Sequence, residues 1–122
     1  VYGKGISNYI QDISGSGLDL VPSATAEGKL KAFNAWGGYI GFSHNWSKVL
    51  TSNIMYSYAR VLDRYGMPAT SYKYAQYAAA NLFWDFSEYG SCAIEYVFGR
   101  RNDFNKDYGN ASRINTMIQY RF

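Results

Sequence analysis

The chain has 122 residues, which is room for one domain, and a formal net charge of +3 without any dense basic run, which argues against nucleic acid as a partner. Aromatic residues make up 19%, including 13 Tyr and 3 Trp, and mean hydropathy is slightly negative at -0.31. No stretch of about 18 apolar residues exists, so a transmembrane helix is excluded; a membrane barrel, in which half of each strand faces a polar interior, is not.

Residues 1–11 carry Ile6 and Ile10 on one parity and Tyr9 on the other, and the pattern predicts a strand. The chain opens directly on Val1-Tyr2-Gly3 with no start methionine or signal segment, as if cut from something longer. Residues 12–30 are rich in Gly, Ser, Asp, Ala and Pro without sustained period and read as a long loop. Residues 31–46 form a long strand candidate, with Trp36, Ile40, Phe42 and Trp46 on one parity. Gly37, Gly38 and Gly41 disfavour a helix there, at about 1 kcal/mol each relative to alanine.

A short connection at 47–50 leads to a strand over 51–61, with Ile54, Tyr56 and Tyr58 opposite Asn53, Met55 and Ser57. Residues 62–71, with Gly66 and Pro68, read as a longer loop. The stretch 72–86 is ambiguous, because Tyr77 to Ala80 would suit a helix. Its parity favours a strand with Tyr74, Ala78, Ala80, Leu82 and Trp84 opposite Lys73, Tyr77, Asn81 and Asp85.

After a tight turn at 87–89, residues 90–101 alternate again, with Cys92, Ile94, Tyr96 and Phe98 opposite Glu95. Residues 102–110 are turn-formers and read as a third longer loop. In the terminal strand, 111–122, Ile114, Thr116, Ile118, Tyr120 and Phe122 oppose Arg113, Asn115, Met117, Gln119 and Arg121.

Long connections (12–30, 62–71, 102–110) thus alternate with short ones (47–50, 87–89), as in an up-and-down membrane barrel whose long loops share one end. Strands of about 11–15 residues, against the usual 5–6, point the same way. The expected fold is all-β: an antiparallel up-and-down transmembrane β-barrel, residues 1–122 forming a single segment. Six strands are too few to close such a barrel, and open edges in lipid cost several kcal/mol per exposed group. The chain is therefore expected to supply about six strands of a larger barrel, completed by the rest of the polypeptide or by other chains.

Gly37-Gly38-Tyr39-Ile40-Gly41-Phe42-Ser43-His44-Asn45-Trp46, the Ser52–Arg60 strand and Asn81-Leu82-Phe83-Trp84 carry a family resemblance. Glu95-Tyr96-Val97-Phe98-Gly99-Arg100-Arg101 and Arg113-Ile114-Asn115 through Tyr120-Arg121-Phe122 continue it. Together they resemble the C-terminal third or so of a Gram-negative outer-membrane porin, most closely the DcaP-like porin family. The likeness covers nearly all the chain from residue 32 on and is looser before it. It implies homotrimers of 16-stranded barrels in the cell outer membrane that admit small, mostly anionic solutes of the carboxylate type. It also implies that Phe122 is presented to the barrel assembly machinery. Roughly ten strands of such a barrel lie outside these residues.

A porin has no catalytic residues and needs no cofactor; its chemistry is an electrostatic filter in a wet channel. Parity selects Lys73, Asn81, Asp85, Glu95, Arg113, Asn115, Gln119 and Arg121 as channel-lining residues; the competing reading is the solvated face of any sheet. Arg100, Arg101 and Arg113 flank loop 102–110 and are expected to gather positive charge near one mouth, where guanidinium groups suit carboxylates. They would otherwise pair with Asp103, Asp107 or Glu95, or bind lipid head groups. Trp36, Trp46, Tyr58, Trp84, Tyr96, Tyr120 and Phe122 are candidates for lipid-facing aromatic girdles, or for a packed soluble core.

His44 has no partners at metal-ligand spacing, so no metal site is expected. Cys92 shares parity with Ile94 and Tyr96 and reads as apolar packing, not as a nucleophile. Asn45-Trp46-Ser47 and Asn110-Ala111-Ser112 match the glycosylation pattern, which carries no meaning in a bacterial membrane protein. The alternative function is a non-conducting structural or binding β-domain, either a membrane anchor barrel or a soluble β-sandwich.

Overall fold

A computed structural model describes residues 1–23 and 28–122, with Asp12 described by its backbone. The eight strands are β1 (Tyr2–Lys4), β2 (Leu20–Pro22), β3 (Leu30–Ala32), β4 (Asn34–Asn45), β5 (Leu50–Val61), β6 (Tyr72–Asp85), β7 (Gly90–Asp103) and β8 (Tyr108–Tyr120). Six form one antiparallel sheet in the order β1-β4-β5-β6-β7-β8, while β2 and β3 pair separately as a hairpin. The described residues are all-β apart from two single-turn 3-10 helices, Ser7–Tyr9 and Gln11–Ile13. Among the described residues the sheet does not close: it ends on β1 and on β8.

The four long strands read over 51–61, 72–86, 90–101 and 111–122 match β5 to β8 within a few residues, and the alanine-rich 72–86 is strand throughout. Alternating aromatic positions and neighbours on both sides outweigh the helix propensity of alanine.

Four expectations need correction. The strand over 1–11 is only Tyr2–Lys4, because Gly5 adopts a left-handed φ of +62° that turns the chain off the sheet. The Ser7 amide then donates to Asp19 Oδ1 at 2.6 Å, holding the 3-10 turns that follow. The loop 12–30 contains β2 and the start of β3; its residues 24–27 lie outside the described residues. The strand over 31–46 breaks at Phe33, whose amide donates to the Asp19 carbonyl while its own carbonyl accepts from Gly5.

Last, the loop over 102–110 shrinks to 104–107. The Asp103 amide donates to the Asp107 carbonyl at 2.9 Å, and Lys106 takes the left-handed φ of +74° that closes so short a turn. Connections 46–49, 86–89 and 104–107 are therefore all short, and 62–71 is the one long connection among β4 to β8. The regular alternation of loop lengths does not hold.

The chain forms two compact units, and each long strand contributes a portion to both. The first comprises Val1–Gly38, Tyr58–Gln76 and Arg100–Gly109. It holds a hydrophobic cluster of Ile10, Ile13, Leu18, Phe33, Ala35, Ala59, Val61 and Tyr72, with Ile6, Val21, Tyr65, Met67 and Ala75 packed against it. Ala35, Ala59 and Val61 lie on one face of β4 and β5, and Ile10, Ile13, Leu18 and Phe33 pack with them. Gly37 is what permits the approach, since a Cβ there would sit 3.0 Å from Ile10 Cγ2 and 3.4 Å from the Tyr58 carbonyl oxygen.

The second unit comprises Tyr39–Ser57, Tyr77–Gly99 and Asn110–Phe122. Its buried hydrophobic side chains, among the described residues, are Ala79 and Val97.

Candidate functional site

In the first unit the Trp36 and Tyr58 rings stack with centroids 4.9 Å apart, and Tyr58 and Tyr74 follow at 5.5 Å. This ladder runs over three adjacent strands, on the face opposite Ala35, Gly37 and Ala59. In the second unit His44 lies between Phe42 and Trp46, at 6.2 and 4.4 Å, and the Trp46 indole N–H donates to Ser52 Oγ at 3.0 Å. Trp84 meets Phe86 edge-on at 6.0 Å, Tyr89 meets Tyr120 at 6.5 Å, and the Phe86 ring covers Gly90, where any Cβ would collide with it.

All seven residues expected in the girdles, Trp36, Trp46, Tyr58, Trp84, Tyr96, Tyr120 and Phe122, are at least partly exposed. Between them Ile40 is 73% and Ile118 84% exposed, values that water disfavours for side chains of this size.

The opposite face carries polar pairs. Asn53 Nδ2 donates to Asn81 Oδ1 at 2.7 Å, bridging β5 and β6, and Asn115 Nδ2 donates to Glu95 Oε1 at 2.8 Å, bridging β7 and β8. All four residues are half-buried. Of the residues singled out from sequence, the structure thus brings Glu95 and Asn115 together and gives Asn81 a partner in Asn53. Asp85 and Arg121 share an open depression of about 390 Å³ with Val49, Phe86, Glu88 and Tyr89. The Arg121 amide donates to the Tyr89 carbonyl at 2.8 Å. Lys73 Nζ lies 5.9 Å from the Phe104 ring, and Arg113 and Gln119 are exposed.

Arg100 and Arg101 each find a partner close in sequence. Arg101 pairs with Asp103 at 2.9 Å, an exposed bridge of small energetic weight. Arg100 donates from Nε to Asn102 Oδ1 at 3.1 Å, with its guanidinium 4.4 Å over the Tyr108 ring. Arg113 belongs to the second unit.

Sequence reasoning passed over several groups. Asp63 Oδ2 accepts from both the Asn34 amide, at 2.8 Å, and Asn34 Nδ2, at 2.6 Å, tying the loop after β5 to the start of β4. Arg60 Nε is shielded from solvent and has no hydrogen-bond partner among the described residues. The Tyr65 hydroxyl has its pKa raised, first by desolvation, then by the charge of Asp63 and by its hydrogen bond to that carboxylate. Asx and arginine residues beside a long loop are the available signal for such ties, but a sequence does not say which residues the loop returns to.

Comparison with protein-family models, with curated proteins and with solved structures found no match to this chain.

Proposed function

We propose that this chain is the C-terminal portion of a Gram-negative outer-membrane porin, supplying about six strands of a larger transmembrane barrel that passes small hydrophilic, mainly anionic carboxylate-type solutes. The reading carries with it a homotrimer, outer-membrane lipid around the aromatic face and further strands beyond β1 and β8. It assigns no catalytic residue and no cofactor.

One observation carries most of the weight. Trp36 and Trp46 sit ten residues apart on β4 and its end, and Tyr74 and Trp84 ten apart on β6, all on one parity. Ten strand steps span about 33 Å. At a tilt of about 45° that is roughly 23 Å of membrane depth, close to the apolar band of about 25 Å expected of such barrels. Between these anchors the same parity holds Gly38, Ile40, Phe42 and His44 on β4, and Gln76, Ala78, Ala80 and Leu82 on β6, with no Asp, Glu, Lys or Arg. An exposed, carboxylate- and ammonium-free face of this height suits hydrocarbon.

Two further features support it. An open sheet in lipid would leave unpaired backbone groups along β1 and β8, so a partner strand at each edge is required. The opposite face bears the hydrogen-bonded Asn and Glu residues that a wet interior accommodates.

A second reading, a non-conducting β-domain, draws on the apolar cluster around Phe33, which is the kind of core a soluble domain builds. Purification from the membrane fraction in detergent, heat-modifiable gel migration and single-channel conductance in a planar bilayer separate the two. Solubility without detergent would sink the barrel reading, and a membrane barrel without conductance would sink the channel. The anion preference rests on Lys73, Arg100, Arg101, Arg113 and Arg121. Reversal potential under a salt gradient tests it, and cation preference would refute it.

A further inference from the structure

Two contacts set the register of β7 against β8 in the second unit: Glu95 meets Asn115, and the Tyr89 carbonyl accepts from the Arg121 amide. Both place the strands in one alignment, which sets Arg113 opposite Val97, one diagonal step from Glu95 on the same face. Diagonal neighbours of this kind sit roughly 7–8 Å apart, with their β carbons somewhat closer. Glu95 spends Oε1 on Asn115, and Arg113 is exposed and has no ion pair among the described residues. A carboxylate and a guanidinium thus stand side by side without neutralising each other.

On this reading of the face as a channel wall, we propose that Glu95 and Arg113 form a subsite for zwitterionic amino-carboxylates. The solute's carboxylate takes the Arg113 fork, and its ammonium takes Glu95 Oε2. A simple anion meets the same arginine, but it also meets the charge of Glu95, which repels it. On the same parity Ala93 and Ala111 flank the pair and leave room beside it for a small solute. Asn115 acts as a positioning residue that aims the Glu95 carboxylate.

The test compares alanine with lactate, which replaces the ammonium with a hydroxyl at nearly the same size. The membrane-extracted assembly is reconstituted in liposomes and swelling rates are read for each solute, with heat-modifiable migration as the check on folding. The wild type should favour alanine, and Glu95→Gln should lower the alanine-to-lactate ratio roughly five- to tenfold, the loss of one charge-assisted hydrogen bond. Glu95→Asp should restore most of it.

Arg113→Gln should slow both solutes, and it decides the matter if Glu95→Gln does not assemble. A ratio unchanged in Glu95→Gln, or wild-type rates for both solutes in Arg113→Gln, would overturn the subsite while leaving the channel intact. Swelling with neither solute in the wild type would overturn the channel reading and the subsite with it.

Discussion

The two compact units solve the problem of a two-faced sheet differently. In the first, the faces of β4 and β5 at Ala35, Gly37, Ala59 and Val61 are covered by the chain's own segment, with Ile10, Ile13 and Phe33 fully or almost fully buried. In the second, Ile40, Phe42, Ile54, Leu82, Ile94, Ile114 and Ile118 are exposed. A sheet needs a layer against its apolar face. The first unit makes that layer from its own residues, and under the proposed reading the second takes it from lipid, so their stabilities should respond to different perturbations.

The largest expected effect falls on the first unit. Phe33 is 1% exposed and packs on Tyr65 at 5.7 Å, so Phe33→Ala should cost about 3–5 kcal/mol of local stability. Amide hydrogen exchange should quicken at Asn34–Gly38 and Tyr58–Val61 while Ile114–Tyr120 stays protected. Equal loss in both stretches would erase the distinction between the units.

The second unit is probed from outside. Ile114→Arg places a cation in the middle of the proposed lipid face and should cost about 2–4 kcal/mol for folding into lipid vesicles. Gln119→Arg, on the opposite parity of the same strand, should stay within about 0.5 kcal/mol. Urea titrations of the two variants in vesicles make the comparison. Similar costs for both would mean that no face of β8 meets hydrocarbon.

A third perturbation returns to the first unit at lower amplitude. Asp63→Ala removes the acceptor of two Asn34 donors, one of them backbone, and should cost about 1–3 kcal/mol by chemical denaturation. Asp63→Asn, which keeps an acceptor oxygen, should recover part of that.

The same contrast explains what could be read from the residues. In the second unit the strands are governed by local alternation, and β6, β7 and β8 could be placed from parity because nothing non-local competes with it. In the first unit the long-range ties decide. The break at Phe33 depends on Asp19 and Gly5, the early end of β1 on a left-handed glycine, and the fold-back of Ile10 on an absent side chain at Gly37. None of these has a period. The expected loop over 102–110 shrinks for a related reason: Asn, Asp and Gly suit a tight turn and a strand end alike, and only pairing shows where one becomes the other.

The pairing of Glu95 with Asn115 follows from β7–β8 register, which alternation alone leaves free by two residues at a time. The partners of Arg101 and Arg100, Asp103 and Tyr108, follow from the same register, since both lie at or beside the turn 104–107 that joins β7 to β8.

The smallest effect is a titration in the first unit. Tyr65 is half-buried beside Phe33, and its pKa is raised by desolvation, by the charge of Asp63 and by their hydrogen bond. An unfolded tyrosine titrates near about 10, so the unfolded chain releases this proton first as pH rises. The contribution to stability is therefore fully present below about pH 10 and is lost as pH climbs through the raised folded value. Tyrosine-labelled NMR should show the Tyr65 ring titrating above an unperturbed tyrosine, and Asp63→Asn should bring it down by removing the charge. Burial by Phe33 should keep part of the shift in that variant. A Tyr65 that titrates with the exposed tyrosines in both forms would mean that the cluster does not exclude water from its edge, and the claim that the first unit carries its own core would weaken accordingly.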